Sequence, residues 1–380
     1  MILSYLKMSK QQVKRATVNN TNKTFKTKMI GIELFSGAGG MATGAIMAGI
    51  DVRLAVESDI NAAQTYLANH KRTTVVIDEI QNIKEFKFER NNEKVVLFGG
   101  PPCQGYSFSN RKTRSQNNPK NWLFKEFLRS INLVHPDWIV IENVPGLKRM
   151  DNGFFLKTLC NDLRDLKYTP SVQILNAADF GVPQKRERIF IVASKHGITF
   201  DFPEGKFVNN PVTVADALFD LPKLENGSME HKLKYSTKPL SEYAKTMRGS
   251  KRIVTQNYVS LNSQTVVDRY KHIKQGGNWQ DIPTRLMGNY KDYTRCHSSI
   301  YRRLAENEPA VIIANYRKSM IIHPTENRGL SVREAARLQS FPDYYEFVGS
   351  LDQKQQQVGN AVPPLLAEKV FNKLIEIETI

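Results

Sequence analysis

From residue 29 to residue 193 short apolar runs alternate with amphipathic stretches, and this rhythm restricts the fold more than any other feature of the chain. The runs 30–34, 52–57, 75–77, 95–98, 138–142, 172–175 and 188–193 have the length and β-branched content of strands. Between them, a small-residue stretch ending at Ala48 and the segments 60–69, 122–134 and 154–166 carry helical spacing. Alternating β and α units predict an α/β fold, a doubly wound and mostly parallel sheet with helices on both faces.

The rhythm stops near Lys195. Residues 197–325 are polar and irregular, with Pro, Gly, Asn and Tyr scattered through them, and read as a second, smaller domain inserted into the first. Helical patterning resumes at Ser331, where Ser331 and Glu334 have the spacing of a capping box. At the end of the chain Leu366, Val370 and Leu374 lie four residues apart, a stripe suited to a helix packing back onto the first domain. The expected division is therefore 29–196 with 326–380 as one domain and 197–325 as the other. Residues 1–28, rich in Lys, Asn, Thr and Gln, are expected to be a disordered basic tail.

The formal net charge is +17, and its distribution names a class of partner. Residues 1–28 hold seven Lys/Arg and no acid, and residues 231–303 hold fifteen Lys/Arg against four acids. A near-neutral body carrying two basic segments suits a polyanion. No run approaches the roughly 18 apolar residues of a membrane helix. Cys103, Cys160 and Cys296 are odd in number and far apart, so they define neither a disulfide framework nor a metal pair, and the seven histidines are dispersed. A reduced, cytoplasmic protein without a metal is expected.

Chemistry concentrates where strands end. Gly99-Gly100-Pro101-Pro102-Cys103-Gln104-Gly105 follows an apolar strand and displays one thiol at its carboxyl end, where α/β sheets place their ligands. A nucleophile and a small buried side chain both suit a thiol there. The first strand runs into Phe35-Ser36-Gly37-Ala38-Gly39-Gly40, a turn that lets backbone approach a ligand, and Glu57 ends the second strand where an acid suits the hydroxyls of a ribose. Glu142 closes the apolar strand 138–142, a setting that desolvates a carboxyl and favours its proton-holding form. Alternation points Arg186 and Arg188 to one side, where two guanidinium groups bind oxygen acceptors or buried acids. Gly359-Asn360-Ala361-Val362-Pro363-Pro364 reads as a tight polar loop opening the last helix.

Taken in order, these blocks, with Glu142-Asn143-Val144-Pro145-Gly146 and Arg333-Glu334-Ala335-Ala336-Arg337-Leu338-Gln339, resemble the cytosine-C5 DNA methyltransferase family of bacterial restriction-modification type. The resemblance covers residues 29–194 and 331–378. It implies a Rossmann-like, S-adenosylmethionine-dependent methyltransferase domain with an inserted target-recognition domain. It implies Cys103 as the nucleophile that adds to cytosine C6, Glu142 on N3 and the exocyclic amine, Arg188 on O2, and Arg186 in support of thiol and ring. S-adenosylmethionine would be lined by Phe35, Gly37, Ala38 and Gly39, with Glu57 on the ribose, Ser58 beside the adenine, and Pro102, Leu123, Tyr345, Asn360 and Val362 at other family positions. S-adenosylhomocysteine would be the product.

Where the family shows Asp-Ile after the third strand, this chain has Asp78-Glu79-Ile80, so the acid facing the adenine amine is either Asp78 or Glu79. The segment 117–122 also lacks the Asp-x-Arg pattern often found before the following Leu-Phe, which puts the detailed cofactor contacts in doubt. The family likeness further implies a mobile loop after Cys103. In it Ser109 would fill the DNA stack left by a flipped base, Gln104 would contact the DNA, and Arg111, Lys112 and Arg114 would grip phosphate. The implied partner is double-stranded DNA, with room for a cognate restriction endonuclease sharing the target. The implied enzyme is a monomer of the bacterial cytoplasm, nucleoid-associated through DNA. An RNA cytosine-5 methyltransferase of the same fold is the alternative, and a DNA-binding relative without activity a weaker one.

Overall fold

The computed structural model describes residues 29–102, 123–149, 153–288, 290, 292 and 297–379. Cys103, Gln104, Ser109, Arg111, Lys112, Arg114 and the 1–28 tail lie outside the described residues.

The chain divides into two compact units. The first comprises residues 1–175, 187–203 and 367–380. Its sheet is built from β1 (Met29–Leu34), β2 (Asp51–Glu57), β3 (Thr74–Ile77), β4 (Lys94–Gly99), β5 (Trp138–Asn143), β6 (Thr169–Asn176) and β7 (Glu187–Ser194), in the order β3-β2-β1-β4-β5-β7-β6. The ladders β3-β2, β2-β1, β1-β4 and β4-β5 are parallel, and β7 runs antiparallel to β5, pairing Glu142 with Phe190. Strands β1 and β5 are buried along their whole length, as expected of parallel strands covered on both faces. Helices α1 (Gly40–Ala48), α2 (Ile60–Asn69), α3 (Leu123–Val134), α4 (Gly146–Arg149) and α5 (Phe154–Asp165) fall between the strands. Leu34, Leu97, Ile139, Ile141 and Ile191 of the sheet share one apolar cluster with Phe127 and Ile131 of α3 and Leu163 of α5.

Strand order reverses between β1 and β4, so the carboxyl ends of these two neighbours flank the crevice where doubly wound sheets bind ligands. The Gly-rich turn follows one and the Gly-Gly-Pro-Pro turn follows the other. The sequence pattern thus places both loops at one switch point.

The second unit comprises residues 176–186 and 204–366. It holds α6 (Val214–Leu218), the antiparallel pair β8 (Met229–Lys234) and β9 (Ile253–Tyr258), α7 (Glu242–Arg248), α8 (Gln264–His272), α9 (Val332–Leu338) and α10 (Leu351–Asn360). The helix α11 (Pro364–Thr379) ends the chain. In the first unit its Phe371 meets Phe98 of β4 edge-on at 5.0 Å, and Glu378 accepts the Trp138 indole N–H. Two expectations differ from this picture. Residues 197–325 contain short regular elements, which start at capping side chains such as Thr213 and Ser241 and are too brief to show periodicity. Residues 326–366 group with the insertion and not with the sheet. Buried guanidinium groups tie the two stretches together: Arg337 of α9 donates to Ala217 O at 2.9 Å and Asp220 at 3.0 Å, and Arg333 donates to Thr255 O at 3.1 Å.

Candidate active site

The turn after β1 is strained. Phe35 has φ 54°, Gly37 φ 53° and Gly39 φ 82°. A left-handed non-glycine residue costs about 1–3 kcal/mol and persists only where its surroundings hold it. Here Ser36 N donates to Val56 O at 3.1 Å, Gly39 N to Ser36 O at 2.9 Å, and Gly37 N to Glu57 Oε2 at 2.7 Å. Glu57 Oε1 accepts Asp59 N at 2.8 Å, and the Asp59 carboxylate in turn caps α2 through Asn61 N and Ala62 N. Burial pushes the Glu57 carboxyl up from its ordinary range, against the backbone donors that pull it down. A side chain added at Gly37 would meet nothing within 4 Å, so the backbone there is open to a ligand. The hydroxyl of Ser36 is buried without a partner. An open backbone turn, a half-buried acid and an unmatched hydroxyl on one switch point fit the nucleoside and amino-acid ends of S-adenosylmethionine.

The other expected cofactor residues divide. Ala38 and Gly39 are buried under the turn, Ser58 is exposed, and Pro102 and Leu123 are half-buried. Asp78 Oδ1 accepts Glu79 N and Asn82 Nδ2, both at 2.7 Å, and so closes the turn that buries Ile80. Glu79 is exposed and accepts Gln81 Nε2 at 2.7 Å. In the second unit Tyr345 is fully buried, its ring 4.7 Å from Phe341 and 5.4 Å from Phe347. Gly359 and Asn360, expected in a loop, form the last turn of α10, whose start is a capping box of Ser350 and Gln353. Gly359 is required because a Cβ there would lie 1.8 Å from Ala314 O. Asn360 is exposed and accepts Gln356 Nε2 at 2.6 Å, and Val362 is half-buried.

The second loop is built around Glu142. A Cβ at Gly99 would lie 2.0 Å from Leu34 O and one at Gly100 would lie 2.8 Å from Glu142 Oε2, so glycine is demanded at both by close approach. Asn143 Nδ2 holds Pro101 O at 2.9 Å while its Oδ1 accepts Val144 N at 2.9 Å. The backbone two residues before Cys103 is thereby fixed at the end of β5. Glu142 is 9% exposed and Arg188 7%, and Arg188 Nε meets Glu142 Oε1 at 2.7 Å. Burial lowers the pKa of Arg188 from its ordinary value, and Glu142 opposes that shift.

Arg186 lies in the second unit and makes different contacts. Its Nη1 donates to Ile313 O at 3.2 Å, and its Nη2 to Gly359 O at 2.9 Å and Ala361 O at 3.1 Å. It ties three backbone carbonyls together. Gln184, which sequence reasoning left without a role, works beside it. Gln184 Oε1 accepts Ile313 N at 2.7 Å, and its Nε2 donates to Gln339 Oε1 at 2.9 Å and Leu338 O at 3.1 Å. The signal was a glutamine next to a predicted strand, which in isolation looks like a solvated end.

Glu33 was also missed, because an acid inside an apolar strand pattern reads as an interruption. It is 1% exposed and its Oε2 has no partner. Burial holds its carboxyl well above the ordinary range, while the Tyr66 hydroxyl and the Ala42 N–H pull it down and Glu57 adds a smaller upward push. An acid so displaced loses folding stability as pH rises from its unfolded value through its folded one. Glu33→Gln is expected to stabilise the protein near pH 8, because a neutral amide does not undergo the titration by which the buried acid loses stability as pH rises. The gain should vanish near pH 4.5 in thermal melts, and a constant difference would contradict it.

Among the described residues no His, Cys, Asp or Glu group is disposed to hold a metal, and no helix is long and apolar enough to cross a membrane.

A doubly wound sheet with both chemical loops on its switch point defines a Rossmann-like α/β fold with its ligand site at the strand ends. The family model of the C-5 cytosine-specific DNA methylase matches residues 29–376. The chain is 35% identical to the type II methyltransferase M1.HphI of Haemophilus parahaemolyticus over 92% of this chain and 87% of that one. It is 32% identical to the type II methyltransferase M.DdeI of Desulfomicrobium norvegicum over 90% and 88%. A crystal structure of a DNA modification methyltransferase from an E. coli prophage superposes with a TM-score of 0.75 at 26% identity, covering 93% of this chain and 100% of that one. The chain belongs to the C-5 cytosine-specific DNA methylase family and is a DNA (cytosine-5)-methyltransferase.

Proposed function

We propose that the protein flips a cytosine out of double-stranded DNA and methylates it at C5 within a type II restriction-modification setting. The observation that carries the site assignment is the buried Glu142–Arg188 pair, with the backbone leading to Cys103 packed against it. Cytosine C5 is a poor nucleophile. The Cys103 thiolate forms a bond to C6, and Glu142 supplies the proton that N3 takes up, so the C5–C6 electrons become available as an enamine. Arg188 sets the orientation of Glu142 and presents N–H groups to O2. Bound S-adenosylmethionine supplies an electrophilic methyl group. Loss of the C5 proton to a base and elimination across C5–C6 restore the ring and free the Cys103 thiolate.

Glu57 and the Phe35–Gly39 turn would hold the donor, with Asp78 or Glu79 facing the adenine amine. Arg186 acts at one remove, by holding the backbone at Ile313, Gly359 and Ala361. The second unit would read the target, and Gln104, Ser109, Arg111, Lys112 and Arg114 would close on the DNA. The similarity to type II methyltransferases supports the restriction-modification setting. Bisulfite sequencing of DNA from cells expressing the protein tests the reading: C5-methylated cytosine in one sequence context is expected with the wild type and not with Cys103→Ala. Unmodified DNA from cells with folded wild-type protein would overturn it.

A further inference from the structure

Beneath the strained turn lies a buried polar layer that the methyl-transfer chemistry does not use. Gly39 closes the turn in a left-handed conformation, and its carbonyl accepts Thr43 N at 2.9 Å and Thr43 Oγ1 at 2.7 Å. The ring of His70, at the carboxyl end of α2, stands 3.4 Å from Thr43 Oγ1, and the Gly39 backbone raises its pKa against burial. Tyr66, one turn earlier, lies 4.5 Å from the His70 ring, and its hydroxyl pulls the Glu33 carboxyl down against burial. All four side chains are at most 7% exposed. A polar layer buried among apolar side chains is costly unless it specifies a conformation.

Helix α2 therefore meets the candidate cofactor site twice. Its first turn is capped by Asp59, whose N–H also fixes Glu57, and its last turn reaches under Gly39. The left-handed Phe35 needs such anchoring, because nothing in its own side chain favours that backbone.

We propose that His70 and Thr43 are positioning residues for S-adenosylmethionine: by fixing the Gly39 carbonyl they hold the Phe35–Gly39 turn in its binding conformation. The inference rests on that turn being the cofactor site. Burial lowers the pKa of His70 to about 4, so the ring is neutral at physiological pH and places no charge beneath the cofactor.

The experiment measures equilibrium binding of S-adenosylhomocysteine to the full chain by calorimetry, beside steady-state kinetics. Thr43→Val removes one hydroxyl at constant shape, and His70→Phe keeps a ring against Tyr66. Each is expected to raise Kd about tenfold, the weight of a lost buried hydrogen bond. Turnover at saturating cofactor and KM for DNA should stay within about twofold, and Thr43→Ser should restore binding. Should His70→Phe fail to fold, Thr43→Val against Thr43→Ser decides. An unchanged Kd, with or without a lower melting temperature, overturns the proposal and leaves a purely structural layer. Glu57→Ala separates the two readings. If it too leaves binding unchanged, the cofactor assignment fails. If it abolishes binding while Thr43→Val does not, only the positioning role fails.

Discussion

Cys103→Ala is expected to abolish transfer of a labelled methyl group to DNA while S-adenosylhomocysteine still binds, and Glu142→Gln to lower the rate by about 10²–10⁴-fold. The two effects arise differently. Without the thiol no bond to C6 forms, and C5 has no electrons to offer. In the Glu142→Gln variant the thiol remains but the ring cannot take a proton as the bond forms, so a slower addition persists. Arg188 is buried and Glu142 is its partner, so Glu142→Gln also leaves a guanidinium without its counter-charge. Melting temperature must therefore accompany the rate. A rate loss larger than any loss of folded protein assigns the effect to chemistry, and full activity of Cys103→Ala would place the nucleophile elsewhere.

Arg337→Ala should be the most destabilising single change in the second unit. The guanidinium bonds Asp343 Oδ1 at 2.6 Å and Oδ2 at 2.7 Å, and Asp220 Oδ1 at 3.0 Å, with both acids fully buried. Removing it leaves buried Asp343 with the Tyr235 hydroxyl and buried Asp220 with Arg248 at 3.9 Å, a loss of about 3–5 kcal/mol and roughly 10 °C in melting temperature. Combining it with Asp220→Asn and Asp343→Asn should return a large part of that stability, because the fault is uncompensated charge. If the triple variant melts no higher than Arg337→Ala alone, lost packing is the cause. Arg337→Lys should not substitute, since one ammonium cannot match the fork that spans two acids.

The sheet was legible because buried strands of a doubly wound fold announce themselves as apolar runs, and Ile139 and Leu97 need no context to be read. The strand-end acids were legible for the same reason, since Glu57 and Glu142 interrupt such runs at their ends. Alternation paired Arg186 with Arg188 as binders of oxygen acceptors or buried acids; Arg188 meets Glu142, and Arg186 meets backbone carbonyls. Four features were hidden. Residues 351–360 are glutamine-rich and end in Gly-Asn, which resembles a loop until Gly359 is seen against Ala314 O. The packing of Tyr345 against Phe341 and Phe347 is set by tertiary contacts that its place in the sequence does not show. Arg186 reads as a partner of Arg188 in sequence, yet the carbonyls it holds are more than 120 residues away. The Glu33–Tyr66–His70–Thr43 layer joins three elements, and no single segment carries its signature.

The carbonyl clamp of Arg186 and Gln184 bears on how such a protein can be re-engineered. Residues 183–186 carry side chains and backbone that hold 310–313, 338–339 and 359–361. A chimera exchanging only residues 197–325 would set those donors against a foreign backbone at 310–313. The compact unit that such an exchange would have to respect is discontinuous, a short lead of residues 176–186 together with 204–366.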